Sequence, residues 1–283
     1  MVSDSIGIKA GSSVFPNDNA YSSVAQLIAP LTRMFRQIYF VVSAVKGATD
    51  RTIDDIAREQ GRDGNDRNGL DQALRGTPRP YTGVFNTPEV AYRLVQPEME
   101  SARRLAGELR ARGIDTTVLE HGPTYPLLGV DNHEYLFATP DIEASYELQR
   151  QQPEQVQDDH TRVVVVPGFG VRNQRGEVMC TGRGSSDLTL VQIAEVYGLP
   201  EIVFWKDTGG FWARPNQPRY GIIEGNMSRA EALERRGEKV LDERTYAFPG
   251  HIRITEPGKY DCGTRILPPE NPWQFDEAMH RTA

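Results

Sequence analysis

The chain has 283 residues, of which 38% are hydrophobic and 25% charged, the composition of a globular protein with ample material for a core. Its formal net charge of −7 argues against nucleic acid or an anionic membrane as the main partner, and no window is apolar over a membrane-spanning length. Two cysteines and five histidines without ligand spacing predict neither a disulfide framework nor a zinc site. We therefore expect a soluble, cytoplasmic protein with free thiols.

The N-terminal part of the chain predicts two strands separated by a helix. Residues 5–9 form a short strand candidate, and residues 39–43 have the apolar character of a buried strand. Between them, apolar residues recur at helical spacing from Val24 to Phe35, and Pro30 is expected to kink or split that helix. Small and hydroxyl-bearing residues follow both strands in loops, at the end where open parallel sheets bind ligands.

The next segment is harder to assign. Residues 59–89 are rich in Gly, Arg, Asp and Pro, which predicts mostly an exposed loop or insertion with a short helix possible around residues 70–74. A good helix follows over residues 97–112, with Pro97 in its first turn. Glu98 would share that first turn, where a carboxylate is electrostatically favoured whether or not it has a function.

The densest set of signals lies in residues 163–198. Residues 163–166 are a continuous β-branched run typical of a strand buried on both faces, and Gly198 ends a helix at the far end of the stretch. A hairpin-like polar segment and the run GRGSSD (182–187) lie between them. An arginine between two glycines at a helix start indicates a site for a planar anion. Taken singly, Asp187 and the serines are also explained as a first-turn acid and an N-cap.

The remaining elements alternate in the same way. Strand and helix at this spacing predict an α/β fold with a mainly parallel sheet flanked by helices. The other predicted elements are strands at 115–119, 201–205 and 251–255, a surface helix or loop at 140–161, a capping box at Ser228–Glu231 that opens the helix carrying Lys239, and a C-terminal tail at 267–283.

Five segments carry the remaining signal: IKAGSSV, VVSAVKGATD, PEMESARRLA, GFGVRNQRGEVMCTGRGSSDLT and MSRAEALERRGEKVLDERT. Together they resemble the motifs of the aspartate kinase catalytic domain, within the amino acid kinase superfamily, and the fourth is the most specific match. The resemblance covers about residues 5–266. It implies a three-layer α/β/α sandwich with an open, mainly parallel sheet over residues 1–266. An amino-acid-binding lobe would span about 1–198 and a nucleotide-binding lobe about 199–266.

The resemblance implies ATP-dependent phosphorylation of the side-chain carboxylate of L-aspartate, with Mg²⁺ bridged largely by the oxygens of ATP. Lys9 would stabilise the transferring phosphoryl group, Asp187 would orient that lysine, and Lys239 would lie near the phosphates. Arg183 would clamp the α-carboxylate of the substrate, and Glu98 would take its ammonium group.

The other implied site residues fall into two groups. For the acceptor they are Ser43 and Thr49, which would orient the side-chain carboxylate, together with Phe169, Gly170 and Ser186. For the nucleotide they are Gly11, Ser12, Lys206, Asp207 and Trp212. We also expect a homodimer whose partners are small molecules.

Several positions depart from the family motifs, and two alternatives stay open. Ser12 and Ser185 stand where the motifs have glycines, which narrows loops that must approach phosphate closely. The chemistry could be directed to a related amino or carboxylic acid, or the chain could be a non-catalytic binding or regulatory protein. Retention of the two lysines Lys9 and Lys239 counts against the second alternative. The chain has no room after Ile266 for regulatory domains, so feedback inhibition through them is not expected.

Overall fold

The computed structural model describes residues 3–59, 65–76, 85–151, 161–215 and 217–269. The strands are β1 (Ser3–Ala10), β2 (Phe35–Val42), β3 (Thr116–Val118), β4 (Leu128–Gly129), β5 (Pro140–Asp141), β6 (Val163–Pro167), β7 (Gly170–Arg172), β8 (Val178–Cys180), β9 (Glu201–Trp205), β10 (Gly225–Met227), β11 (His251–Thr255) and β12 (Thr264–Ile266). The helices are α1 (Ala20–Ile28), α2 (Ala48–Glu59), α3 (Asn65–Ala73), α4 (Pro88–Arg110), α5 (Ile142–Gln151), α6 (Ser186–Val196) and α7 (Arg229–Glu234).

A mainly parallel sheet organises the molecule. Its strand order is β10-β12-β11-β9-β1-β2-β6-β3, and among these neighbours β11 and β12 run antiparallel. A smaller sheet, β5-β4-β7-β8, lies outside this order. Because β1, β2, β6 and β9 are parallel, their carboxyl ends meet at one edge of the sheet. The predicted fold class is confirmed.

Both faces of the large sheet are buried. Tyr39 and Val41 of β2 point into one core with α6 and the first half of α4, while Phe40 and Val42 point into a second core with α1 and the second half of α4. Alternate side chains of a strand face opposite sides, so a strand covered on both sides has to be apolar throughout. This explains the continuous apolar runs in the sequence and gives the predicted three layers.

The region around Pro30 and the start of α2 correct two predictions. Pro30 does split the helix: α1 ends at Ile28 and a short 3₁₀ turn covers residues 31–33. The expected continuation through Phe35 is wrong, because Phe35 begins β2. The predicted loop of small and hydroxyl-bearing residues after β2 is followed by helix α2, which was not predicted. Helix α2 begins at Ala48, and its apolar residues bury one face against the core and outweigh the polar composition of the segment.

Helix α4 corrects the position of Glu98. The helix begins at Pro88, nine residues earlier than predicted, and the side chain of Thr87 caps it by accepting a hydrogen bond from the Val90 N–H. Pro97 therefore lies inside the helix, where it cannot donate to the carbonyl four residues before it. Glu98 is a mid-helix residue, so the helix dipole at a first turn does not account for it.

The C-terminal part corrects the position of Lys239. Ser228 caps α7 through the Glu231 N–H, as predicted, but the helix ends at Glu234. Lys239 lies beyond a 3₁₀ turn and has a left-handed backbone conformation with φ of 53°. Strands β9 and β11 have the predicted bounds.

Some predicted segments lie partly outside the described residues. These are residues 60–64 and 77–84 of the insertion, the segment 152–160 after α5, and the tail from residue 270 onward. Cys180 and Cys262 are free thiols, as predicted. Among the described helices, none combines the length and apolarity needed to cross a bilayer.

Arg229 ties the C-terminal loops together and generates a stability prediction. Its buried guanidinium donates to the carbonyls of Leu267, Tyr246 and Gly250 over 3.1, 3.2 and 2.8 Å. We expect Arg229→Leu to lower the free energy of unfolding by about 2 to 4 kcal/mol, because these acceptors lose a charged donor. Chemical denaturation measures this. Arg103→Leu, which breaks an exposed pair with Glu120, should change stability little; equal losses in both variants would contradict the role of Arg229.

Candidate active site

Two adjoining cavities open at the carboxyl edge of the large sheet. The smaller has a volume of about 190 Å³ and the larger about 890 Å³. Both are lined by Ser12, Ser43, Arg183, Gly184 and Ser186, so the two spaces meet at the loop after β1 and the start of α6. A ligand in one cavity would therefore lie next to a ligand in the other.

The smaller cavity collects the residues predicted for the acceptor, with one exception. It is lined by Ser43, Thr49, Glu98, Phe169, Arg183 and Ser186, along with residues of the loop after β2. Gly170 does not line it. A Cβ at Gly170 would lie 2.6 Å from the His121 ring, so this glycine allows the backbone to pack on the imidazole. Burial lowers the pKa of His121 to about 3, which leaves a neutral ring there.

Glu98 presents a buried carboxyl group to the smaller cavity. Its side chain projects from the middle of α4, the residue is 4% exposed, and its Oε2 has no hydrogen-bond partner among the described residues. Burial raises the pKa of Glu98 to about 8. A carboxyl group with an unused oxygen in such a place is suited to an ammonium group, which would favour its ionised form.

The wall of the larger cavity holds a buried ionic cluster around Asp187, next in sequence to Ser186, which lines both cavities. Lys9, in β1, has its Nζ 2.6 Å from Asp187 Oδ1, and Lys206, just after β9, has its Nζ 2.9 Å from Asp187 Oδ2. Burial would raise the pKa of Asp187, but Lys206 and Lys9 outweigh it and hold that pKa below its usual range. Burial lowers the pKa of Lys9, and Asp187 opposes this. One carboxylate thus fixes two cations.

The larger cavity is strongly cationic. It is lined by Lys9, Lys206 and Lys239, the three lysines that the family resemblance assigns to the nucleotide or the transferring phosphoryl group. Gly11 also lines it, and a Cβ there would lie 3.3 Å from Lys9 Nζ. Further lining residues that sequence reasoning missed are Arg75, Phe137, Arg236, Asp242 and Arg244. Most of them lie in loops, which have no periodic sequence pattern. The sequence signal that could have indicated some of them is the cluster of basic residues between 235 and 244.

Two predicted nucleotide residues do not line the larger cavity. Asp207 is exposed beside the end of β9. Trp212 forms an isolated bridge with Ile222, and its carbonyl accepts a hydrogen bond from Arg235. Their roles in nucleotide binding stay predictions.

The start of α6 is arranged to leave backbone donors free. Ser185 occupies the N-cap position without capping the helix; its hydroxyl instead contacts Thr181 Oγ1 and donates to the Gly182 carbonyl, both over 2.6 Å. Phe169, on the facing turn, has a left-handed backbone with φ of 72°. Its N–H donates to Thr189 Oγ1, so α6 holds this strained residue in place. Uncapped N–H groups at a helix start favour an anion.

Arg183 reaches the smaller cavity but is already paired. Its Nη2 donates to Asp50 Oδ1 over 2.6 Å and its Nη1 donates to Asp71 Oδ1 over 2.5 Å. These carboxylates come from α2 and α3. The predicted clamp for a substrate carboxylate is thus held by two carboxylates of the chain itself.

Comparison with known proteins identifies the family. The model of the family described as "Amino acid kinase family" matches residues 7–248. The chain belongs to the amino acid kinase family. It is 28% identical over 155 residues to the bifunctional aspartokinase/homoserine dehydrogenase 2 of Escherichia coli (strain K12), a match covering 52% of this chain and 18% of that protein.

Solved structures of this family have the same fold. The structure of E. coli aspartokinase III in complex with aspartate and ADP is 19% identical, with a TM-score of 0.70 over 94% of this chain and 65% of that one. Aspartate kinase from Synechocystis is 19% identical, with a TM-score of 0.67 over 94% and 40%. UMP kinase from Ureaplasma parvum is 13% identical, with a TM-score of 0.51 over 94% and 99%. The chain thus spans less than two thirds of these aspartate kinases, and the predicted resemblance to their catalytic domain is confirmed.

The buried carboxyl of Glu98 makes stability depend on pH. Its pKa is about 8 in the folded state against an ordinary 4.5, so between these values the folded state holds a proton that the unfolded state lacks. The contribution of this protonated carboxyl group to the free energy of unfolding is complete below about pH 4.5 and is lost as the pH rises through about 8. We expect the free energy of unfolding of the wild type, relative to Glu98→Gln, to fall from about pH 5 to about pH 8.

Glu100→Gln is the matched control for this measurement. Glu100 lies two residues further along the same helix and is exposed, paired with Arg104. The free energy of unfolding of Glu100→Gln should differ from that of the wild type by the same amount at every pH in this range. If the difference for Glu98→Gln were also independent of pH, Glu98 would be ionised throughout and burial would not shift its pKa.

Proposed function

We propose that the protein is an ATP-dependent kinase that phosphorylates the side-chain carboxylate of L-aspartate, giving 4-phospho-L-aspartate. The observation that carries the proposal is the Lys9–Asp187–Lys206 cluster on the wall of a cationic cavity that adjoins a smaller, acceptor-sized one. Phosphoryl transfer asks a protein mainly to position two anionic reactants and to neutralise their charge. Two fixed ammonium groups in the larger cavity meet that requirement.

The larger cavity suits the triphosphate of ATP. Lys9, Lys206 and Lys239 supply positive charge, Gly11 lets the backbone approach closely, and the uncapped start of α6 supplies N–H donors. The residues present therefore fit a nucleotide. Phe137 also lines the cavity, with the Arg244 guanidinium 5.3 Å from the centre of its ring.

Mg²⁺ would be held mainly by the phosphate oxygens. Both oxygens of Asp187 are engaged by lysines, and Asp242 is engaged by Arg244. In the described part of the chain, no group of three or more His, Cys, Asp or Glu side chains could hold a metal ion. A metal brought by the nucleotide is compatible with these facts, because Mg²⁺ commonly binds through substrate phosphates and retains several waters. It would supply charge neutralisation between phosphate oxygens.

The smaller cavity suits an α-amino acid with an acidic side chain. Glu98 offers a carboxyl oxygen for an ammonium group, and Arg183 offers a planar donor for an α-carboxylate. Ser43 and Thr49 provide hydroxyl groups for the side-chain carboxylate. The aspartokinase III structure with this fold contains aspartate and ADP, which supports the same pair of ligands here. A related amino or carboxylic acid is the alternative acceptor.

The chemistry then needs no general base. A side-chain carboxylate oxygen of the acceptor, already ionised, attacks the γ-phosphorus in line, and the bond from that phosphorus to the β–γ bridging oxygen breaks to release ADP. Lys9 would contact the transferring group and offset the charge of the approaching anions. Asp187 would keep Lys9 and Lys206 in position without touching the reactants.

The proposal predicts which acceptors are phosphorylated. We expect ATP consumption with L-aspartate, the formation of a hydroxamate when hydroxylamine traps the acyl phosphate, and no turnover with UMP.

Lys9→Met should lower turnover by about two or more orders of magnitude while changing the KM for aspartate much less, because the contact of Lys9 with the transferring group strengthens at the transition state. A coupled ADP assay over amino acids, related acids and UMP measures this.

Different outcomes separate the alternatives. Hydroxamate formed with another acid in place of aspartate would redirect the acceptor and keep the chemistry. Phosphorylation of UMP would contradict the carboxylate acceptor. Binding of ATP without consumption with any acceptor would favour a non-catalytic protein, and near-normal turnover of Lys9→Met would remove Lys9 from the mechanism.

A further inference from the structure

Arg183 belongs to a chain of four alternating charges that runs along the wall of the site. Arg75 Nε lies 2.8 Å from Asp71 Oδ2, Asp71 Oδ1 lies 2.5 Å from Arg183 Nη1, and Arg183 Nη2 lies 2.6 Å from Asp50 Oδ1. The order is Arg75, Asp71, Arg183, Asp50, and the sum of the charges is zero. An incoming carboxylate would meet a guanidinium whose charge is already balanced.

The two aspartates differ in how firmly they are held. Asp71 uses both oxygens, one on Arg183 and one on Arg75. Its helix is also tied to the Arg183 turn, because the Arg183 N–H donates to the Leu74 carbonyl over 2.6 Å. Asp50 contacts Arg183 through one oxygen only, and its side chain is 46% exposed against 30% for Asp71.

Asp50 is also the member of the pair that lies inside the acceptor cavity. It lines that cavity with Arg183, whereas Asp71 does not. It occupies the first turn of α2, where the helix dipole favours a carboxylate even without a salt bridge. Its release into water would therefore cost little, because its side chain is nearly half exposed and such ion pairs contribute little net stability.

We propose that Asp50 is an internal competitor for the acceptor's carboxylate, and that Asp71 is the fixed partner that orients Arg183. The incoming α-carboxylate takes the place of Asp50 on Nη2, Asp50 turns to solvent, and Asp71 stays bridged between Arg75 and Arg183. The site is then charge-balanced again, with the substrate in place of Asp50. This inference rests on the proposed function, since it assumes that the acceptor carries such a carboxylate.

The exchange affects ligands according to whether they carry an α-carboxylate. A ligand that fits the cavity but lacks this group cannot displace Asp50, so it leaves the Arg183–Asp50 pair closed and gains no contact with Arg183. The α-amide of L-aspartate is a ligand of that kind. Asp50 therefore weakens the binding of ligands with an α-carboxylate and leaves the binding of the α-amide unchanged.

Substitution of the two aspartates that contact Arg183 should have opposite effects on the binding of L-aspartate. Asp50→Asn removes the competing charge, so the Kd and the KM for L-aspartate should fall by up to about fivefold. Asp71→Asn weakens the fixed partner, so both constants should rise by a similar factor. Asp55→Asn, an exposed residue of α2 paired with Arg58, is the control and should leave both unchanged. Titration calorimetry with L-aspartate and the coupled assay measure these values, and melting temperatures identify variants that fail to fold.

The α-amide separates competition from a general loosening of the site. Asp50→Asn should lower the Kd for L-aspartate and leave the Kd for its α-amide unchanged. The Kd of the α-amide divided by that of L-aspartate should therefore increase. If Asp50 and Asp71 had a purely structural role, both Asp50→Asn and Asp71→Asn would bind L-aspartate more weakly. Weaker or unchanged binding of L-aspartate by Asp50→Asn, in a wild type that phosphorylates it, would overturn the inference and leave the proposed function standing. If neither the wild type nor Asp50→Asn binds L-aspartate, both are overturned.

Discussion

The carboxylate of Asp187 lies between two ammonium groups, 2.6 Å from Lys9 Nζ and 2.9 Å from Lys206 Nζ, and the three side chains are only 6%, 6% and 16% exposed. The rest of the site depends on this contact. Without it, two buried like charges would repel each other in a medium that screens them poorly. The three side chains come from three different elements, β1, the end of β9 and the start of α6, which the common carboxyl edge of the parallel sheet brings together.

Much of this could be predicted from the sequence, and the reason is physical. Strand β9 is a short apolar run covered on both faces, and β11 alternates polar residues with Ile252 and Ile254 of one core, so each has a pattern that local sequence can reveal. The glycine-flanked Arg183 indicated an anion site at a helix start, and the structure places Arg183 where the two cavities meet, with Asp187 on the wall of the larger one. The family motifs added the assignment of Lys9 and Lys239 to that site.

The failures also have identifiable causes. Two prolines compete as helix starts in α4; choosing Pro97 hid the fact that Glu98 is buried in mid-helix with an unused oxygen. The partners of Arg183 are 112 and 133 residues away in sequence, and neither belongs to a pattern that a helix or strand period would reveal. Long-range ion pairs of this kind depend on how α2 and α3 pack, so local sequence signals could not indicate them.

The most direct test of the account is a crystal structure of the protein with ADP, Mg²⁺ and aluminium fluoride as a mimic of the transferring phosphoryl group. The account predicts that the fluoride group contacts Lys9 Nζ and the N–H groups at the start of α6. It also predicts that Asp187 keeps its contacts with Lys9 and Lys206 and does not ligate the metal. A mimic bound away from Lys9, or an Asp187 that leaves both lysines to bind Mg²⁺, would contradict the claim that this buried carboxylate organises the site.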